Sequence, residues 1–175
     1  MYDDFKELLS ALNEHKVKYL VVGAYAVGYH AQPRATKDLD VLIQPAPKNG
    51  EAAYRALVAF GAPGIKSLKP ADLVEKGMFY RMGVPPVAMD ILPEIAGVTF
   101  AAAWKNRTTY VIDSETGLTA HFISRADLIQ AKLASGRLQD LADVDALRRA
   151  AAATTQNVSK FRNPGPRSKK RPKAE

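Results

Sequence analysis

The chain has no cysteine, one tryptophan and three histidines among 175 residues, and no apolar run that approaches the length of a membrane span. Without thiols there can be no disulfide, no thiolate nucleophile and no thiolate metal site. His30 and His121 lack the spacing of metal ligands, and His15 reads as a surface residue closing a helix. His30 and His121 are assigned no role. The start, Met1-Tyr2-Asp3-Asp4, is acidic rather than basic and then apolar, so it does not read as a secretory leader. The expectation is a cytoplasmic protein with no membrane partner. No internal repeat is visible.

What is present is a body of ordinary globular composition, 47% hydrophobic and 25% charged, long enough for one domain with a real core. The net charge of +7 is unevenly distributed. Residues 154–175 hold seven of the 25 lysines and arginines and one of the 18 acids, so residues 1–153 carry 18 basic against 17 acidic side chains. A nearly neutral domain, 1–153, is thus expected to precede a basic tail, 154–175. The tail is rich in Pro, Gly and Ser and poor in apolar residues, a composition that does not order in isolation. Its run Ser168-Lys169-Lys170-Arg171-Pro172-Lys173 suits salt-sensitive, sequence-blind contact with a phosphate backbone, or simply solubility.

The most informative stretch is Tyr19 to Gln44, YLVVGAYAVGYHAQPRATKDLDVLIQ. Tyr19 to Val22 reads as a short buried strand. Gly23-Ala24 breaks it with two residues too small to block a ligand, and a short helix continues through Tyr29. Gln32-Pro33 turns the chain, and a second strand, Asp38 to Ile43, carries Asp38 and Asp40. Strand side chains alternate, so the two acids share one face, roughly 6.5 Å apart along the strand. Their neighbours Leu39, Val41, Leu42 and Ile43 are apolar. Two carboxylates beside an apolar core repel each other, and a divalent cation is the usual remedy. Mg²⁺, or Mn²⁺ in its place, takes oxygen ligands and leaves positions for phosphate oxygens. The helix opened by Gly23-Ala24 offers N–H groups and a dipole to an anion. Metal ligands beside a phosphate cradle suggest a nucleoside triphosphate site. A second apolar strand, Val87 to Leu92, has Asp90 in its middle; pairing with 38–43 would complete a three-carboxylate, two-metal cluster. The competing reading of the i, i+2 acids is a solvated sheet face.

Around this stretch the periodicity predicts helices at Asp3 to Glu14 (capped by Asp3 or Asp4), Glu51 to Phe60, Gly97 to Trp104, Ser124 to Gly136 and Arg137 to Ala152. Pro45 to Gly50 reads as a loop. Met78 to Met82 and Val87 to Leu92 read as a hairpin about Gly83-Val84-Pro85-Pro86, and Tyr110 to Ile112 with Leu118 to Ile123 as another. Leu128, Ile129 and Leu133 form the apolar face of one late helix; Leu138, Leu141, Val144, Ala146 and Leu147 form that of the next. Trp104 reads as a core anchor. Strand, helix and strand again make an α/β (α+β) layered fold.

A strand, a Gly-[Gly or Ser] turn into a short helix, Asp-x-Asp on the next strand and a later lone Asp form the signature of the DNA polymerase beta-like nucleotidyltransferases. The chain resembles it through Gly23-Ala24, Asp38-Leu39-Asp40 and Asp90. Over about residues 3 to 150, VVGAYAVGYHAQPRATKDLDVLI followed by ISRADLIQAKLASGRLQDLADVDAL is similar to small bacterial proteins related to AbiEii-type toxin nucleotidyltransferases. Ala24 departs from the superfamily pattern and supplies no hydroxyl, so phosphate contact there would rest on backbone. The resemblance implies a minimal nucleotidyltransferase fold: a mixed twisted sheet flanked by helices, with a C-terminal helical pair. It implies transfer of a nucleoside monophosphate from an NTP to a hydroxyl of RNA (tRNA-like) or protein, and possession of an antitoxin partner. It places the metals on Asp38, Asp40 and Asp90, Lys132 on a phosphate, and acids such as Asp140 and Asp143 around the nucleotide or the lysine. Arg34 and Thr36 are candidates to contact phosphate or orient Asp38. An alternative is a nucleotidyltransferase fold that binds nucleotide or RNA without catalysis.

Overall fold

The computed structural model describes residues 1–32, 36–84 and 87–162, with side chains to residue 153. A mixed six-stranded sheet runs through the molecule: β1 (Tyr19–Val21), β2 (Asp38–Ile43), β3 (Tyr80–Val84), β4 (Val87–Leu92), β5 (Thr108–Asp113) and β6 (Leu118–Phe122), in the order β3-β4-β2-β1-β6-β5. β2 runs parallel to β4 and β1 parallel to β6; the other neighbours are antiparallel. β1 is buried along its whole length and β2 from Val41 onward, as their unbroken apolar runs require. The α-helices among the described residues are α1 (Asp3–Glu14), α2 (Gly23–His30), α3 (Pro47–Phe60), α4 (Phe100–Asn106), α5 (Arg125–Ser135) and α6 (Leu138–Arg162). The expected α+β architecture is the observed one.

Helix α1 buries Phe5, Leu8, Leu9 and Leu12, the stripe its sequence shows, and packs beside α3. Its N-cap is Tyr2, with no side-chain cap, so Asp3 and Asp4 lie inside the first turn, where their charge suits the helix dipole. Helix α3 begins at Pro47 rather than Glu51, because proline at the first helical position is already set for the helix and loses no bond. Buried Asn49 fastens that start by bonding to the backbone of Lys18 and Gln44.

Strand β3 is displaced toward the turn relative to its expected span, leaving Met78 and Phe79 exposed ahead of it. Helix α4 starts after Thr99, whose hydroxyl accepts the Ala102 N–H, rather than at Gly97. Trp104 is half-buried, stacked on Phe100 with the Arg107 guanidinium over its ring.

The largest differences lie in the helical pair. Helix α6 continues to Arg162, ten residues beyond the expected end, so the first part of the predicted tail is helical backbone; Ser168 to Lys173 lie outside the described residues. Leu138 is 88% exposed and Leu141 and Leu133 are also exposed. Val144 and Leu147, of the same expected face, are buried as expected, on the helix that packs against α5 and α2. Asp143 shares that buried stripe and meets Lys132 there, whereas Leu138 lies on the opposite side of the helix. Among the described residues no helix is long and apolar enough to cross a membrane.

Candidate active site

β1 delivers the chain to Gly23. The Val22 N–H bonds to the Asp40 carbonyl at 2.9 Å, which locks the turn to β2 beside Asp40. Gly23 sits at φ +61, and a Cβ there would stand 1.9 Å from Asp40 Oδ2. Only glycine permits both the backbone angle and the approach of that carboxylate. Helix α2 begins at this glycine. Ala24 does not line the adjoining cleft, so Gly23 alone of the expected pair faces it.

The register of β2 against β4 decides the next question. Asp40 lies directly opposite Asp90, so both side chains leave the same face of the sheet, with Asp38 two residues along on that face. Asp90 is buried, Asp40 half-buried and Asp38 exposed. Burial pushes the Asp40 carboxyl up to about 6, helped by the charges of Asp90 and Asp38; Lys132 and Arg81 pull the other way. Thr36 donates its hydroxyl to the Asp38 carbonyl at 3.3 Å, supporting the strand entry rather than the carboxylate. Arg34 lies outside the described residues.

Among the described residues, Lys132 and Arg81 answer this acidic face. Lys132 is buried, and its ammonium donates to Asp140 Oδ1 and meets Asp143 Oδ2, each at 2.7 Å. Burial works to raise the Asp140 carboxyl, but hydrogen bonds from Lys132 and Ser135 and the charges of Lys132 and Arg137 outweigh it and hold it low. Asp143, with a side chain only 3% exposed, is thus part of the constellation. Arg81 is the residue that sequence reasoning missed. It donates Nε to Asp90 Oδ1 at 2.7 Å and Nη2 to Oδ2 at 2.6 Å, a bidentate fork that holds the guanidinium still more firmly charged. The signal was in the hairpin: pairing Val84 with Val87 counts Arg81 opposite Asp90.

Gly23, Asp40, Lys132 and Asp140 line one cleft of about 330 Å³, together with Leu92, Glu94, Ile95, Ala96, Leu128, Ala131, Ser135 and Arg137. One end is acidic and backed by Lys132; the walls include apolar side chains from the segment after β4 and from α5. The capping of α5 sets that wall: Ser124 accepts the Asp127 N–H and donates to the Asp127 carboxylate, fixing where the helix begins. His30, assigned no chemistry, serves structure by bonding to the Ile123 carbonyl at 2.6 Å just before α5.

Among the described residues, no group of three or more His, Cys, Asp and Glu side chains is already drawn together to hold a metal ion. Both oxygens of Asp90 are engaged by Arg81. The donor chemistry nonetheless suits a hard cation: Asp38, Asp40 and Asp90 offer only oxygen, and a cation there would offset both the burial that chiefly raises Asp40 and the added charges of Asp90 and Asp38.

A mixed sheet with flanking helices, a glycine turn beside paired strand aspartates and a lysine-backed cleft together form a minimal nucleotidyltransferase-like fold. The chain belongs to the family described as "Nucleotidyltransferase of unknown function (DUF6036)", which matches residues 2–151. No curated protein matches the chain.

Proposed function

We propose that the protein transfers a nucleoside monophosphate from an NTP to a hydroxyl, with RNA of tRNA type the favoured acceptor and a protein hydroxyl the alternative. The observation that carries this reading is the placement of Asp40 opposite Asp90 and against Gly23, in a cleft backed by Lys132. Asp38, Asp40 and Asp90 would hold Mg²⁺ or Mn²⁺, which supplies positive charge to the α-phosphate and the departing pyrophosphate. Gly23 leaves room for phosphate against backbone N–H groups. Lys132 supplies charge from the α5 side, held there by Asp140 and Asp143. The acceptor oxygen attacks the α-phosphorus, the bond to the β-phosphate bridging oxygen breaks, and the hydroxyl proton passes to a carboxylate oxygen of Asp90. The apolar walls at Ile95, Ala96, Leu128 and Ala131 suit a nucleobase.

The similarity to toxin nucleotidyltransferases supports, as part of the same proposal, a toxin-like role with an antitoxin protein as partner. The basic segment beyond residue 154 favours RNA over protein. Incubation with each labelled NTP, Mg²⁺ and total RNA tests the reading, and label in RNA or protein is expected. Asp38→Ala and Asp40→Ala should lose it, and unchanged transfer by both would remove the assignment. The grip of Arg81 on Asp90 favours a second reading, nucleotide binding without catalysis. Saturable NTP binding with no label transferred would establish it.

A further inference from the structure

Arg81 belongs to the edge strand of the sheet, with its side chain 56% exposed, yet its guanidinium takes both oxygens of an Asp90 that is almost wholly enclosed. The strand beneath it is fixed by pairing with β4 through five successive positions, so only the side chain is free to move. Lys132 has no such freedom. It is buried and clamped by two carboxylates, and moving it would take its charge away from both. Of the two described cations beside the strand aspartates, Arg81 is therefore the one whose side chain has room to move, and it rests on a carboxylate that the proposed reaction needs for a cation. A guanidinium fork fits phosphate oxygens as well as it fits a carboxylate.

Building on the nucleotidyltransferase reading, we infer that Arg81 is a resting counter-ion of the site. It occupies Asp90 while the cleft is empty, excludes a divalent cation from that carboxylate, and moves to the phosphates of the incoming nucleotide. Arg81 is then a positioning residue with two opposed effects. It weakens metal binding to the empty protein and strengthens nucleotide binding in the absence of metal.

The opposition makes a sharp test with the full chain. Mn²⁺ binding without nucleotide is measured by electron paramagnetic resonance, and binding of a fluorescent ATP or GTP analogue in EDTA by anisotropy. Arg81→Met should bind Mn²⁺ on the order of tenfold more tightly than the wild type and the metal-free nucleotide on the order of tenfold more weakly, the scale of one charge-assisted pair. Arg81→Lys should fall between, and would stand in if Arg81→Met failed to fold. Arg137→Met, which removes a charge from the cleft rim without touching Asp90, controls for the general field and should change Mn²⁺ binding by less than about threefold. If Arg81→Met bound Mn²⁺ no more tightly, or bound metal-free nucleotide undiminished, the inference would be wrong while the reaction proposed above could stand. If neither the wild type nor any Arg81 variant bound Mn²⁺ with or without nucleotide, the metal-dependent reading itself would fall, and this inference with it.

Discussion

Replacing Asp40 by asparagine is expected to make the ligand-free protein more stable at neutral and alkaline pH while abolishing transfer. The carboxyl is pushed from 3.8 to about 6 by burial, Asp90 and Asp38. The folded state therefore holds this proton over a range where the unfolded chain releases it. Stability is full below about 3.8, falls as the pH rises through the interval to about 6, and stays reduced above it. At about 1.4 kcal/mol per pH unit the full penalty is about 3 kcal/mol, and the solvent that reaches a half-buried group reduces it to about 1–3 kcal/mol. Asparagine keeps the shape and removes the charge. Urea denaturation of both proteins at pH 8 should show Asp40→Asn more stable by that amount, and at pH 4 most of the difference should vanish. Added Mg²⁺ should recover stability in the wild type and not in the variant. A variant less stable than the wild type at pH 8, or a difference independent of pH between 4 and 8, would refute the argument that burial and the neighbouring acids make the Asp40 charge costly.

Gly23→Ala forces a Cβ onto the Asp40 carboxylate at a positive φ and should cost at least about 2 kcal/mol, the scale of stored backbone strain, with loss of nucleotide binding; denaturation and anisotropy would show it. Lys132→Met takes the ammonium away from the buried Asp143, an expected loss of about 3–5 kcal/mol that Lys132→Met/Asp143→Asn should largely restore in a double-mutant cycle. Ser124→Ala removes the cap of α5 and should lower stability by about 0.5–2 kcal/mol, read as a shift in the urea midpoint with an unchanged slope.

Much of the site could be read along the chain because its signals are local. The run from Tyr19 to Val22, the break at Gly23 and the alternation Asp38-Leu39-Asp40 fix a strand, a tight entry to a helix and two acids on one face by geometry that needs no distant partner. Helix α1 was legible for the same reason: its stripe at Phe5, Leu8, Leu9 and Leu12 follows the helical period without interruption. Boundaries were less legible where a cap rather than periodicity decides them, as at Pro47 and Thr99.

What only the tertiary structure decided is how separate pieces line up. A shift of one residue between β2 and β4 would have sent Asp90 to the other face of the sheet; nothing inside either strand specifies the register that sets it against Asp40. The inward side of α6 was likewise undetermined. Its apolar residues suggested a stripe beginning at Leu138, but the side that turns inward carries Asp143, paired with Lys132, beside Val144 and Leu147, and Leu138 faces water. Local sequence determines which side chains share a face, whereas long-range pairing and the need to neutralise buried charge determine which faces meet.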